Sequence, residues 1–511
     1  MTPSDPDASP RWRRLGNVAW LPALLCGALA LRLAFFGGLL GWDDVTYWEA
    51  ARALRAGDYA PHSTFHLRYT LTVPLALCQA WFGEHEWAPF LVPLAYSMAH
   101  LVLTYALGLL WGGVAVATAA TALLAIVPLD VIAATDLHAD LPLAVLLAAT
   151  VYAVMRGEAS TSRGRLWFLA AGVMLALAVA TKEVALALAP FLAVRRALAR
   201  RRPRGYGWAA IGFLGIAAAE TIWLAALTGD PLYRYGGQAA LHAGTVSAMA
   251  PGYGWMLGYP SMLLDPLGGA FGYFAGLFYL VVAATLWGLG RGRRAIEWLA
   301  LWWGGLLLAF NFAPLDWTFS WPLFHHFART LHPLLIPFVL ASALWLQVGL
   351  AGRHVLRISV MVAVVGLAAV GILATHRDYR AWAAVARQAA PIIERLPSNA
   401  RVITDPLTAT QLKFLLPRSS PQIISYSEGE IGATRGPVFV LADPTYIAQG
   451  RREGLVPPDA MTTPPASWER VAELDRDQRV SLRGILTRSL GRDRGPTTET
   501  MRATLWRVVS P

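Results

Sequence analysis

An all-α polytopic membrane protein with a small α/β domain at its C-terminal end is the fold class that this sequence predicts. Three observations carry that reading. The chain is 56% hydrophobic with a mean hydropathy of +0.45, and only 15% of its residues are charged, against about 25% in soluble domains. Apolar stretches long enough to span a bilayer, about 20 residues each, recur along the chain as far as residue 375. After that point Pro, Arg, Asp and Ser rise, and no further span can be drawn.

The spans predicted in order, about eleven at that length, are 18–40, 88–111, 113–134, 139–156, 166–181, 182–197, 206–229, 268–290, 295–314, 331–350 and 354–375. No small-residue cleavage site follows the first, so it is expected to stay as an anchor rather than to be removed as a signal. The net charge of +11 would suggest nucleic acid in a soluble protein. Here the arginines cluster between spans: Arg11, Arg13 and Arg14, then Arg156 to Arg165, Arg195 to Arg204, Arg291 to Arg294, and Arg353 with Arg357. An odd number of spans puts all of these runs on one side, as the positive-inside rule requires. Loops 41–87, 230–267 and 315–330, and the chain beyond 375, then face outward. The 21 Trp residues suit a membrane interface, where the ring is apolar and the N–H stays wet. Cys26 and Cys78 both lie in apolar stretches and imply no disulfide framework.

Beyond 375 the pattern changes period. A helix is expected over 379–396, and short β-like runs appear at 401–404, 422–426, 437–441 and 504–509, as in a small α/β unit. The organisation expected is therefore a membrane domain over 1–375 and an extracytoplasmic domain over 376–511. There is no internal repeat of the kind that marks many transporters.

Ionisable residues near lipid are expensive and tend to mark function. Four groups of them fall on the predicted outer face. Asp43-Asp44 opens the first loop. Asp136 and Asp140 precede and begin the fourth span, four residues apart. Thr181-Lys182-Glu183 lies at the turn after the fifth. Arg329-Thr330-Leu331-His332-Pro333 begins the tenth, with His325-His326 just before it. Each group also has a plain structural reading. The aspartates suit helix caps, Lys182 and Glu183 suit a local ion pair, and Arg329 suits snorkelling to the interface. Four such groups at one surface fit a site better than four unrelated caps do. Acids there could take a proton from a hydroxyl or hold a metal, and Lys and Arg could hold a phosphate. Asp130, Glu220 and Glu297 are expected to pair within the bundle or to lie near a face.

These residues resemble the motifs of the GT-C glycosyltransferases, in the branch of the protein O-mannosyltransferases and the lipid A aminoarabinose transferases. Asp43-Asp44-Val45-Thr46-Tyr47, followed by Gly57-Asp58-Tyr59, is similar to that branch's Asp-Glu-x-x-Tyr and Gly-Asp-aromatic. Tyr69 to Trp81 with Phe82-Gly83-Glu84 resembles its juxtamembrane helix. Asp140-Leu141-Pro142, Ala180-Thr181-Lys182 and Arg329-x-x-x-Pro333 resemble its later motifs. The chain departs from the pattern in three places: Asp44 replaces a glutamate, Glu183 stands where glycine is usual, and Arg68 stands near a missing phosphate-binding lysine. The resemblance implies an inverting transferase that moves a sugar from a polyprenyl-phosphate carrier to an acceptor hydroxyl on a lipid, glycan or protein at the outer face. Asp43, Asp44 and Asp140 would be the catalytic acids. Lys182, Arg329, Arg68, Tyr47, His332 and Asp136 would bind substrate and phosphate. No cofactor is expected, although the acids leave a divalent metal open. The alternatives are a transporter or flippase of lipid-linked sugars, or a non-catalytic membrane component. A bacterial inner membrane, with the site on its periplasmic side, is the expected location.

Overall fold

The computed structural model describes residues 20–41, 43–61, 65–160, 162–198, 205–236, 258–264, 269–312, 328–416, 421–428, 436–452, 455–475 and 502–509. Among them the chain is a bundle of apolar helices carrying a small mixed sheet. In the hydrocarbon of a bilayer, backbone polar groups must be satisfied internally, which leaves helices as the solution for segments this apolar. Seven described helices are long and apolar enough to cross, and Trp20–Ala34 and Leu277–Leu289 are shorter apolar helices. The protein is an integral membrane protein.

Several predicted spans take a different local form. The two expected over 88–111 and 113–134 are arms of one element, Leu91–Ile126, in which Gly113 has φ 75° and ψ −167°. The arms fold back on each other there. A Cβ on Gly108 would sit 2.5 Å from the Cα of Ala117, an approach that a continuous helix never makes between residues nine apart. Val127 is then extended (ψ 121°), as expected before Pro128, and the short helix Pro128–Ala133 follows. The span expected over 182–197 is a 3₁₀ turn, Glu183–Leu188, continued by the short helix Ala189–Leu198. The one expected over 268–290 is broken into Gly269–Phe274 and Leu277–Leu289, because Ala275 (φ 50°) and Gly276 (φ 72°) both leave the helical region. His325-His326 lies outside the described residues.

Burial ranks the spans. Tyr206–Thr228 has 11% of its span window buried and shows Ile211, Leu214 and Ile222 on its surface, as a lipid-facing helix would. Asp140–Ala159 and Ala328–Gly349 are 78% and 83% buried, so they form the centre. Gly172 and Gly212 hold the pair Gly164–Thr181 and Tyr206–Thr228 together. A Cβ on Gly172 would lie 1.9 Å from the Ala209 carbonyl oxygen, and one on Gly212 would lie 2.4 Å from that of Leu169. This is the small-residue contact typical of membrane helices.

The first loop holds two helices. Asp43–Ala56 packs on Tyr69–Phe82, and the Gln79 side-chain amide donates to the Trp48 carbonyl at 2.9 Å. The second helix buries Leu71, Leu75 and Gln79 and exposes Val73, Leu77 and Trp81, four residues apart on one apolar face. A face of that kind suits the membrane interface.

The helix His354–Trp382 runs past residue 375 without a break, and Ala384–Ile393 follows it. A five-stranded sheet of order β2-β1-β3-β5-β4 comes next, formed by β1 (Arg401–Thr404), β2 (Gln422–Ser425), β3 (Val438–Ala442), β4 (Glu469–Leu474) and β5 (Ala503–Arg507). The first three strands are parallel, with the helix Pro406–Leu415 as the crossover between β1 and β2. β5 runs antiparallel to both β3 and β4. Four of the strands stand where the β-like runs predict them. β4 was not foreseen, because Glu469-Arg470-Val471-Ala472-Glu473-Leu474 is too charged to announce a strand and lies at the sheet edge.

Asp405, just after β1, accepts from the Thr408 amide at 2.8 Å and caps the helix that follows. Burial, with the nearby Asp443 carboxylate adding to it, pushes its pKa up to about 6. Between pH ~4, where an ordinary Asp ionises, and pH 6, the folded protein keeps a proton that the unfolded chain has released. Stability therefore falls as pH rises through that window and is flat above it. Asp405→Asn keeps a capping oxygen without the titration. In detergent, the variant is expected to lose this slope and to gain on the order of 3 kcal/mol above pH ~6, read as the pH dependence of thermal unfolding. Gly172→Val should be destabilised by roughly 3 kcal/mol or more, because the Ala209 carbonyl is backbone and cannot give way.

Candidate active site

The site lies at one end of the bundle, where helix ends converge. Asp43 opens the helix Asp43–Ala56, Asp140 opens the central span Asp140–Ala159, Lys182 follows Gly164–Thr181, and Arg329 sits in the 3₁₀ helix Ala328–Leu334 that leads into the second central span. Each is at a terminus because a charge inside the span would meet lipid or apolar core. The Lys182 ammonium lies 2.6 Å from Asp140 Oδ1. Arg329 stands between two carboxylates, with Nη2 3.3 Å from Asp43 Oδ2 and Nε 3.8 Å from Asp140 Oδ2. Residues 43, 140, 182 and 329, far apart in the chain, thus form one row of alternating charge.

Exposure separates the acids. The Asp43 side chain is 25% exposed, whereas that of Asp140 is 3% exposed. Asp136 is buried nearby, with Oδ2 3.0 Å from His138 Nε2. His138 also contacts Arg329. Burial and the Arg329 guanidinium press its pKa down, but the Asp136 carboxylate and the other acids outweigh them and leave it raised. His138 was not singled out from the sequence. Its signal there was only its place between Asp136 and Asp140. Arg68 bonds to the Tyr47 hydroxyl and lies 5.1 Å from the Phe65 ring centre. Arg68 and Tyr47 make a second cationic patch beside the row, close enough for Asp43 to act on both electrostatically.

Two predicted site residues stand apart from the row. Asp44 is buried beneath the loop. Its Oδ2 accepts from the Leu40 and Gly41 amides at 2.7 and 3.3 Å, and its Oδ1 accepts from Val45 at 3.0 Å. Burial and the Asp136 carboxylate push its pKa up to about 7. This geometry buries Asp44 against the backbone of the turn, which it braces. His332 turns into the bundle, where its Nε2 lies 3.0 Å from Asp130 Oδ1. Its neighbours in the 3₁₀ helix are held by packing, which sequence spacing alone does not show.

Asp130 is the centre of a fully buried network. Oδ2 takes Arg32 and Ser97, at 2.5 and 2.6 Å, and Oδ1 takes His100 and His332. Among the described residues, His100, Asp130 and His332 are the one group with the ligand types and spacing for a metal. The Arg32 guanidinium already balances the single carboxylate there. A divalent ion would add two uncompensated charges to a dry interior, at a cost of several kcal/mol. We read the group as an ion-paired anchor. The expectation that Asp130 and Glu220 pair within the bundle holds, since Glu220 meets Arg234. Lys182 and Glu183 do not pair with each other. Lys182 meets Asp140, and Glu183 meets Arg234 at 3.0 Å.

Residues 73–223 match the family model described as dolichyl-phosphate-mannose-protein mannosyltransferase. The fold matches ArnT from Cupriavidus metallidurans in the apo state, at 16% identity and TM-score 0.58, over 97% of this chain and 98% of that one. It matches the same protein bound to undecaprenyl phosphate at 14% identity and TM-score 0.57, covering 96% of this chain and 98% of that one. It also matches the archaeal oligosaccharyltransferase AglB from Archaeoglobus fulgidus, in complex with an inhibitory peptide and a dolichol-phosphate. There the identity is 13% and the TM-score 0.51, over 83% of this chain and 66% of that one. A search of curated protein sequences found no match. The chain has the fold of the GT-C glycosyltransferases, and the resemblance read from its motifs is borne out.

Removing one partner of the buried ion pair should be costly. Arg32→Met leaves the Asp130 carboxylate uncompensated, and a loss of roughly 3–5 kcal/mol is expected, measured as thermal or denaturant unfolding in detergent. Surface pairs such as Lys413–Glu428, 42% and 58% exposed, should cost under about 1 kcal/mol when broken.

Proposed function

We propose that this protein is an inverting glycosyltransferase that moves a sugar from a polyprenyl-phosphate carrier to an acceptor hydroxyl at the outer face of its membrane. The observation that carries the reading is the row Asp43–Arg329–Asp140–Lys182, in which a partly exposed carboxylate stands in line with two cations at the bundle end. The family match and the carriers bound by ArnT and AglB support it.

In the proposed step the acceptor hydroxyl gives its proton to Asp43 as its oxygen bonds to the anomeric carbon. The bond from that carbon to the carrier phosphate breaks on the opposite face. The phosphate leaves with the electron pair and a growing negative charge. Lys182 and Arg329 stand where that charge develops, and Asp140 holds both cations in place. Arg68, bonded to Tyr47, supplies a further cation for the phosphate. Asp136 and His138 support Arg329 from behind. No metal and no other cofactor enters this step. The bundle end that carries the site, with the C-terminal domain beside it, would face the periplasm of a bacterial inner membrane.

The test is sugar release or transfer from a panel of polyprenyl-phosphate sugars by purified protein in detergent. Asp43→Asn is expected to lower turnover by roughly a hundredfold or more while leaving donor binding in place. Lys182→Ala and Arg329→Ala should weaken donor binding and also slow turnover, by about 10²-fold for a lost charge-stabilising group. Equal turnover by wild type and Asp43→Asn would remove Asp43 as the base. Tight donor binding with no turnover in wild type would favour a carrier or transporter.

A further inference from the structure

The helix Pro406–Leu415 belongs to the C-terminal sheet domain, yet one of its faces leaves that domain. Leu412 is buried in the core on the sheet side. Gln411 is fully buried and reaches the first acidic loop instead. Its side-chain amide donates to the Leu40 carbonyl, and to the Trp382 carbonyl at 3.1 Å. Leu40 is therefore gripped from both sides, since its own amide donates to Asp44 Oδ2 at 2.7 Å.

Three further contacts join the same surfaces. Gly41 has φ +101°, and a Cβ there would lie 2.7 Å from Leu407 Cδ1 and 2.8 Å from Gln411 Cγ. Phe414 meets the Trp48 ring edge-on at 6.2 Å between centres, and Phe414 and Leu415 pack on the apolar core of the loop helices. Arg387, on the helix before β1, pairs with Glu86 at 2.6 Å. Trp382, which shares the Gln411 amide, also takes the Tyr446 hydroxyl and stacks on that ring. The loop thus closes on a rigid helix of the C-terminal domain, and only residue 42 separates Gly41 from Asp43.

We infer that the helix Pro406–Leu415, acting through Gln411, is the positioning element that sets the turn at Leu40-Gly41 and, with it, Asp43. This rests on the transfer reaction proposed above. Gln411 touches no reacting atom. Its bond to the Leu40 carbonyl holds the backbone that leads to Asp43, its bond to the Trp382 carbonyl ties that hold to the helix His354–Trp382, and Lys182 and Arg329 are carried by the membrane helices. Its loss should therefore move the base relative to Lys182 and Asp140, which pair with each other on the membrane helices. Reacting groups displaced by about 1 Å lose up to about 10²-fold in rate.

The test uses full-length Gln411→Met, which keeps the shape and removes both donors. Gly41→Ala displaces the same contact from the loop side. Lys413→Ala, on the exposed face of the same helix, is the control. Hydrogen exchange of peptides covering residues 36–45 should rise at least about tenfold in Gln411→Met and Gly41→Ala. It should stay unchanged in β1 and in Asp140–Ala159, which also shows that the variants are folded. Turnover should fall roughly tenfold or more with the donor KM within about twofold, and Lys413→Ala should match wild type in both readouts. Unchanged exchange at 36–45 would overturn the positioning role, whether or not the protein transfers sugar. Raised exchange with unchanged kcat would overturn its link to the reaction. A wild type without transferase activity would sink the proposed function while leaving the exchange result to decide the contact. If both variants open globally, Gln411→Glu replaces them. It keeps size but sets a carboxylate against two carbonyls, and the same local exchange is read.

Discussion

A charge can persist in a bundle this apolar only where an opposite charge meets it, and the Arg32–Asp130 pair is the point from which that requirement spreads. Both side chains are fully buried. The carboxylate also takes Ser97, His100 and His332. One acid thereby ties the first helix, the hairpin Leu91–Ile126 and the 3₁₀ helix Ala328–Leu334 together. Replacing such a pair by apolar side chains can be nearly neutral, but leaving half of it is severe. The network therefore specifies one arrangement of three elements more than it adds raw stability. Because His332 and Arg329 share the same 3₁₀ helix, that arrangement also sets where Arg329 can reach.

The same rule operates at the bundle end with a different outcome. Arg329 and Lys182 share Asp140, and Arg329 also meets Asp43. These contacts are less dry than the one at Asp130. Asp43 keeps a quarter of its side chain exposed, so a ligand can approach it. The two most buried spans bring Asp140 and Arg329 to this spot, and the alternation of sign holds each cation against a carboxylate. In the transfer reaction proposed for this site, preorganisation of that kind is what stabilisation of a leaving phosphate by fixed charges requires. Asp44 shows the cost of the arrangement. A carboxyl group next to Asp43 is buried and accepts from three backbone amides, which stiffens the turn.

The C-terminal domain enters the same system through backbone contacts. Its crossover helix serves the sheet on one side and the acidic loop on the other. Arg387–Glu86 and Trp48–Phe414 widen that contact beyond Gln411. A domain tied at this many points to the loop that carries Asp43 braces that loop.

The sequence by itself determined the membrane class, the order of most spans, and the four charged groups at one end. Apolar length and arginine runs are local properties of the chain, and caps at span ends follow from the cost of charge in lipid. Asp43, Asp140, Lys182 and Arg329 were all legible in this way. Four of the five strands were legible too, from runs of β-branched residues. The chain reversal at Gly113 and the break at Ala275-Gly276 were not, because hydropathy cannot distinguish a long helix from two that fold back. Only the tertiary structure decided which partners each acid meets. Asp43 and Asp44 are neighbours of identical chemistry, and the fold turns one toward Arg329 with a quarter of its side chain exposed and buries the other against backbone amides. His332 looked like a companion of Arg329 and proved to be a partner of Asp130. Arg32, His100 and Gln411 carried no local pattern at all. Each takes its role from a partner that is far away in sequence, and long-range pairing leaves no trace in a single chain read from end to end.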